Sequence, residues 1–517
     1  MLNDLFDKLY KPDVLSCLAD LSNDEVMTPP DIANKMLDLL PQELFSNPDT
    51  KILDPCCKSG VFLREAAKRF IEGEKDQFNS LQECIDHVFQ HQLYGIAITE
   101  LTSLLSRRSV YCSKYPNSPY SISVFDKENA QGNILYHRLK HEWEGTGDKR
   151  HCKYCGANAS EYDRDISLET HAYELIHVDD PKEIFNMKFD VIIGNPPYQL
   201  STQENSKQAK PIYHLFINQA KKLNPKYLVM IIPSRWFSGG FGLDSFRSEM
   251  LQDKRIRKIV DYPNSHEVFS GVDVPGGICY FLLDRDNKGP CEITNIIEGK
   301  AETSVRELDE YPTFVRFSKA IPIIRKVFDI EKPKHTMEDT VSSAKPFGLP
   351  TNYSPMDEGI PCWFIQKIGK KYADPNDVVD SNNLLNKWKF LVPRSPIAGQ
   401  TDFTKAVGFY YDGNTRIAKP GECCTESFLV AGAFDTEEEV LHFKSYLFTK
   451  TVRFLLLQAV VSQDVLRNKF CFVPALESYD EDFSDDRLRK RWNITDSEWE
   501  YIDSRIHNYG KDDVEDN

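Results

Sequence analysis

A chain of 517 residues, 41% hydrophobic and 27% charged, is long enough for two or three domains with real cores. Its formal charge of −16 argues against a uniformly basic nucleic-acid binder, although acidic residues gathered at 478–486 and in the tail 512–517 leave room for a basic cleft elsewhere. Met1-Leu2-Asn3-Asp4-Leu5-Phe6-Asp7 lacks the marks of a signal peptide, and the apolar stretches 227–233 and 454–461 are too short to span a bilayer, so a cytoplasmic protein without a membrane partner is expected.

In chain order, Pro29-Pro30-Asp31 opens a helix over 29–40 whose apolar face carries Ile32, Met36, Leu39 and Leu40. Lys51-Ile52-Leu53 reads as a short buried strand ending at Asp54. A turn containing Gly60 leads to a helix with Phe62, Ala66, Ala67, Phe70 and Ile71 on one face, which Gly73 is expected to end. Apolar strands follow at 94–98, 189–193, 227–232, 258–261 and 278–283, separated by helical or connecting segments. The alternation predicts an α/β fold built on a mainly parallel, twisted sheet with helices on both faces. Between Tyr111 and Thr170 the pattern lapses into a polar insertion, and after Gly299 recurrent prolines mark a second domain, 300–517.

The strand at 189–193 runs into Asn195-Pro196-Pro197-Tyr198, where two prolines forbid further ladder pairing. A side-chain amide, a rigid carbonyl and an aromatic face are thereby fixed at a strand's carboxyl end, where open α/β sheets place ligands. Asn195 and the Pro196 carbonyl can accept both hydrogens of an exocyclic amine, and Tyr198 can stack on a base taken out of its duplex. The bland alternative is a polar turn. Thirteen cysteines, unevenly spaced and with no secretion signal, point to reduced thiols rather than a disulfide framework. Cys152-Lys153-Tyr154-Cys155-Gly156 forms a zinc-knuckle half-site, with further ligands expected from Cys112 and one of His141, His151 or His171; two free surface thiols are the alternative.

These motifs, over roughly residues 25–285, resemble the adenine-N6 DNA methyltransferases of restriction-modification systems with an Eco57I-like methylase domain. Met27-Thr28-Pro29-Pro30 is similar to the family's Thr-Pro pair leading a helix beside the cofactor. Asp54-Pro55-Cys56-Cys57-Lys58-Ser59-Gly60-Val61-Phe62-Leu63 resembles its Asp-Pro-x-Cys-Gly-Ser-Gly-x-Phe-Leu loop, Asn195-Pro196-Pro197-Tyr198 its catalytic motif, and Ile231-Ile232-Pro233-Ser234 a later strand end. Cofactor motifs ahead of the catalytic motif give the family's gamma order.

The resemblance implies a Rossmann-like S-adenosylmethionine-dependent methyltransferase sheet over 1–299, a small zinc-knuckle-like insertion at 111–170, and a C-terminal α+β target-recognition domain at 300–517. In it Thr28, Asp54, Ser59 and Gly60 would hold the methionine end of the cofactor, and Asn195, Pro196 and Tyr198 would act on the base. Lys58 stands where the family has Gly, and Ala97 where an acidic residue grips the ribose. Glu100, three residues on, is the substitute for the latter, and Asp179 is assigned to the cofactor's adenine.

The implied activity is methyl transfer from S-adenosylmethionine to adenine N6 in double-stranded DNA by base flipping, as the modification component of a restriction-modification or phage-defence system. Methylation of RNA or of a protein glutamine poses the same chemical problem at an amide-like nitrogen. A DNA-binding scaffold that turns over slowly or not at all is the reading that Lys58 and Ala97 favour. Without an Asp…Glu-x-Lys cluster in the sequence, cleavage is assigned to a partner nuclease or helicase subunit. Within 300–517, Lys387-Trp388-Lys389-Phe390, Arg394 and 396–400 interleave cations with aromatics. Arg453, Arg467, Asn468 and Lys469 form a second candidate phosphate-facing group, and 487–492 is a basic run; solvated amphipathic faces are the plainer alternative.

Overall fold

The computed structural model describes residues 26–163, 170–200, 210–238, 240, 242–311, 313–365, 367–397, 405–460 and 464–508. The acidic tail expected at 512–517 and part of the segment 396–400 lie outside them. The chain divides into two compact units, Met1–Glu310 and Tyr311–Asn517. Among the described residues no helix is long and apolar enough to cross a membrane.

The first unit contains strands β1 (Ile52–Cys57), β2 (Leu93–Ala97), β3 (Ile134–Leu135), β4 (Trp143–Glu144), β5 (His151–Cys152) and β6 (Val191–Gly194). Beyond these come β7 (Tyr227–Pro233), β8 (Ile256–Tyr262), β9 (Ile278–Asp284), β10 (Cys291–Ile297) and β11 (Lys300–Arg306). Nine of them form one sheet in the order β11-β10-β8-β9-β7-β6-β1-β2-β3. Pairing is parallel from β7 through β3 and between β8 and β10. It is antiparallel where β9 lies between β7 and β8, and in the closing β10–β11 hairpin. That hairpin carries the first unit past Gly299.

Strand β7 is buried along its whole length, as a continuous apolar run in a sheet covered on both faces should be. From β1 the chain builds outward to β2 and β3, then returns to place β6 on the other flank of β1, with Ile52 opposite Val191 and Leu53 opposite Ile192. This reversal of strand order opens a crevice at the carboxyl ends of β1 and β6.

Helices α1 (Pro30–Leu37), α2 (Val61–Glu74), α3 (Glu100–Tyr111) and α4 (Tyr213–Lys222) belong to this unit. Gly73 does not end α2. The helix runs through it because its backbone is pressed against the turn at 42–46, and a Cβ on Gly73 would lie 2.3 Å from the Phe45 carbonyl oxygen. Strand β1 likewise continues past Asp54 to Cys57, every residue buried.

The second unit is α+β. One small sheet joins Ile360–Trp363, Lys370–Ala373 and Cys423–Cys424, and another joins Trp388–Pro393, Arg416–Ala418 and Phe428–Phe434. Helices Ala320–Glu331, Glu437–Phe448 and Lys450–Leu457 supply much of its core. Two of the cations expected to face phosphate point inward. Lys389 is fully buried and donates to the carbonyls of Leu385, Lys387 and Lys419, and Arg453 is buried and donates to the carbonyls of Thr449 and His507. Arg394 is paired with Glu426 and Asp464. The basic run at 487–492 sits on helix Asp485–Arg491, where Arg489 pairs with Asp496 and Arg491 with Glu331.

Candidate active site

The crevice between β1 and β6 holds a small pocket lined by Thr28, Asp54, Cys56, Lys58, Ser59, Gly60, Val61, Phe62 and Asn195. Four residues expected on the cofactor side (Thr28, Asp54, Ser59 and Gly60) and the amide expected on the base side therefore meet in one place. Gly194 makes this possible. A Cβ there would stand 2.8 Å from Cys56 Sγ and 3.1 Å from Asp54 Oδ1, so only glycine lets the end of β6 lie against the end of β1.

Asn195 is 3% exposed, and its Nδ2 donates to the Val26 carbonyl at 3.0 Å and to Thr28 Oγ1 at 3.1 Å. A carbonyl only accepts, so the end of the amide facing Val26 must be the nitrogen. Oδ1 is then turned the other way, buried, with no hydrogen-bond partner among the described residues. The hydroxyl of Tyr198 is also buried without a partner at hydrogen-bond geometry among the described residues, and burial pushes its pKa well above 10 against the smaller opposing pull of the nearby Asn195 side chain. Pro196 is buried between them in sequence.

Asp54 accepts from the Cys56 backbone N–H at 3.1 Å. Burial raises its pKa to about 6, against the opposing pull of that hydrogen bond and of Lys58. A carboxylate so poorly solvated favours a cationic ligand group such as an ammonium. Thr28 Oγ1, which accepts from Asn195, keeps its own proton to donate, and Ser59 is buried beside it. This donor set fits the methionine end of S-adenosylmethionine.

Other expected residues lie elsewhere. Glu100 is exposed in the first turn of α3, because Thr99 caps that helix and turns the following side chain to solvent. Asp179 is 81% exposed and drawn to Lys153 of the insertion at 3.6 Å. Neither lines the cavity. Cys112 is exposed in the left-handed C-cap of α3 and is not a member of the cluster formed by the other two cysteines of the insertion. The polar cluster there consists of His141, Cys152, Cys155 and His177, so of the three expected histidines His141 is in it, His151 and His171 lie outside it, and His177 is an unexpected member. Nothing in the spacing singles out His177; only its following the apolar pair Leu175-Ile176 hints at burial.

Lys58 extends into the cavity and donates to the Val26 carbonyl at 3.0 Å, with its ammonium 6.0 Å from the Tyr198 ring centre. Gly60, at φ +74°, is required by packing as well as by the turn. A Cβ there would meet the Ser106 carbonyl oxygen of α3 at 3.0 Å.

A model of the Eco57I restriction-modification methylase family matches residues 91–269. A Mycoplasma pneumoniae protein described as an uncharacterized adenine-specific methylase is 34% identical over 327 residues, covering 59% of this chain and 78% of its own. The Escherichia coli type II restriction enzyme and methyltransferase RM.Eco57I is 27% identical over 125 residues, covering 21% of this chain and 12% of its own. Among solved structures, a modification subunit of a putative type I restriction enzyme from Vibrio vulnificus YJ016 aligns with a TM-score of 0.34 and 15% identity. That alignment covers 56% of this chain and 51% of the subunit, so the chain spans about half the length of the solved protein.

Proposed function

This chain belongs to the adenine-specific methylases of the Eco57I-like restriction-modification family, and from that membership we propose that it methylates adenine N6 in duplex DNA with S-adenosylmethionine as methyl donor. The observation that carries the reading is Asn195 Oδ1, a buried acceptor whose orientation is fixed by the two hydrogen bonds that its own amide nitrogen donates to the Val26 carbonyl and Thr28 Oγ1. An adenine amine is a poor nucleophile because its lone pair is delocalised into the ring. Accepting its hydrogens at Asn195 Oδ1 and at the Pro196 carbonyl draws the nitrogen toward tetrahedral geometry and exposes the lone pair. Tyr198 supplies a face for a flipped base.

S-adenosylmethionine, when bound, supplies the electrophilic methyl group. Asp54 would take its ammonium, and Thr28 and Ser59 its carboxylate, fixing the donor's direction relative to Asn195. No residue need act as a strong base. The cysteine–histidine cluster of the insertion takes no part in the transfer; a metal there, zinc by ligand type, is structural.

A labelled-methyl assay on DNA of varied sequence, followed by digestion to nucleosides, tests the proposal: N6-methyladenine should appear with wild type and be lost with Asn195→Ala. Label found only on RNA or protein would redirect it. Undetectable cofactor binding by calorimetry would favour the methylase-like scaffold, to which the Lys58 ammonium in the cavity points.

A further inference from the structure

In the insertion, β4 and β5 form a hairpin that pairs Trp143 with Cys152 and Glu144 with His151. After it the chain turns tightly. The Ala157 carbonyl accepts from Cys152 N–H, the Cys152 carbonyl accepts from Gly156 N–H, and Gly156 sits at φ +67°. The turn brings both thiols to one point. His141 arrives from just before β4, and His177 from the turn Glu174–Ile176, which precedes the catalytic strand β6. All four residues are buried, and their ligand atoms lie within 4.8 Å of one another.

The hydrogen bonds behind the two rings decide what faces inward. His141 Nε2 is 2.7 Å from the Thr170 carbonyl, and His177 Nδ1 is 2.8 Å from the Tyr173 carbonyl. Carbonyls only accept, so those two nitrogens carry the protons. His141 Nδ1 and His177 Nε2 are then bare lone pairs in the neutral rings, and they confront each other at 3.3 Å. Two lone pairs at that distance repel unless a cation lies between them. Cys152 Sγ is 3.6 Å from His177 Nε2, and Cys155 Sγ is 3.6 Å from His141 Nδ1. With ordinary Zn–S and Zn–N bond lengths, a tetrahedral ion has edges of about 3.6 Å between sulfur and nitrogen and about 3.3 Å between two nitrogens. The cluster has the dimensions of a zinc site.

We propose that His141, Cys152, Cys155 and His177 bind one structural Zn²⁺ ion that clasps the insertion to the scaffold of the catalytic corner. Four buried protein ligands leave no open position, so the ion has no catalytic role. Binding deprotonates both thiols, and their protons go to solvent. The backbone carbonyls behind each imidazole are the outer hydrogen bonds that orient metal-bound histidines.

The clasp reaches the active site through α4. Gln219 Nε2 donates to the carbonyls of Leu175 and Val178, on either side of His177. At the start of the same helix, Ile212 N–H donates to the Tyr198 carbonyl at 3.1 Å. Metal at His177 therefore braces the helix that anchors the backbone of Tyr198. This assignment is independent of the methyl-transfer proposal, because its primary readouts need no activity.

The test is elemental analysis of the full chain purified without chelator, together with the visible spectrum of the cobalt-substituted protein. One zinc per chain, lost in Cys155→Ser and His177→Ala but kept in Cys112→Ser, His151→Ala and His171→Ala, is expected. Cobalt should show the d–d bands of a tetrahedral site and thiolate-to-metal charge transfer at the intensity of two sulfurs, which also reads the site where a zinc-ligand variant fails to fold. A metal-free wild type, a three-sulfur cobalt spectrum, or zinc lost with Cys112→Ser would overturn the ligand assignment. Hydrogen exchange of the intact protein after chelation should rise in 171–178 and in α4; unchanged exchange in α4 would overturn the clasp.

Discussion

The cavity between β1 and β6 and the core of the second unit bury polar groups in opposite ways. Lys389 spends its three donors on three backbone carbonyls, and Arg453 is likewise bonded to the chain around it. Asn195 and Tyr198 each keep a buried polar atom without a partner among the described residues. A buried polar group that the protein satisfies is part of the fold, whereas one it leaves unsatisfied costs stability and makes sense only if something else satisfies it. Sequence composition suggested phosphate recognition at Lys389 and Arg453; hydrogen bonding removes them from that role.

The contrast is sharpest at Asn195. Replacing it with alanine should lower the rate of methyl transfer on the order of 10²–10³-fold while cofactor affinity measured by calorimetry changes much less. A variant that kept its rate would erase the distinction. Lys389→Met should behave oppositely, leaving three carbonyls without a donor and lowering the unfolding free energy by about 3 kcal/mol. Urea denaturation reads that loss, and DNA affinity of the folded variant should match wild type.

Asp54 lies between these cases. Its pKa, about 6 in the fold against an ordinary 3.8, is raised by burial, so the stability this group confers is full below about pH 4 and is lost as pH rises through 6. Asp54→Asn should therefore unfold about 3 kcal/mol less readily at pH 7, a gain that vanishes near pH 4, and yet bind S-adenosylmethionine more weakly. In wild type, cofactor affinity should increase between pH 5 and 7 as the carboxylate ionises. The smallest effects belong to Glu100→Ala and Asp179→Ala, exposed residues outside the cavity, each expected to change cofactor binding by less than about 0.5 kcal/mol in the same calorimetry. A large loss at either would place the nucleoside end of the cofactor against it.

The sheet and the corner at Asn195–Tyr198 were legible because they depend on local signals: apolar runs that end abruptly, and two prolines after Asn195. The antiparallel placement of β9 between β7 and β8 was not, since an apolar run reads the same in either direction. Gly73 illustrates a related ambiguity. A glycine near the end of a helical pattern signals a stop, but here it marks contact with the Phe45 carbonyl. The half-site Cys152–Cys155 was visible through its spacing, while His177 was not, because nothing local distinguishes a histidine brought in from a distant turn. Asp54, Ser59 and Gly60, grouped by their closeness in sequence, do line one pocket, whereas Glu100, reached by counting along the chain from Ala97, lies exposed in the first turn of a helix capped by Thr99.

Cys56 gives the cavity one more property. Its thiol lines the space assigned to the methyl donor, and a thiolate there would be a far better nucleophile than an adenine amine. Burial, reinforced by the neighbouring Asp54 carboxylate, pushes its pKa well above 9 and keeps it protonated. The same exclusion of water that destabilises Asp54 thus shields the protein from alkylating itself, so a pocket that holds a reactive sulfonium can also contain a cysteine.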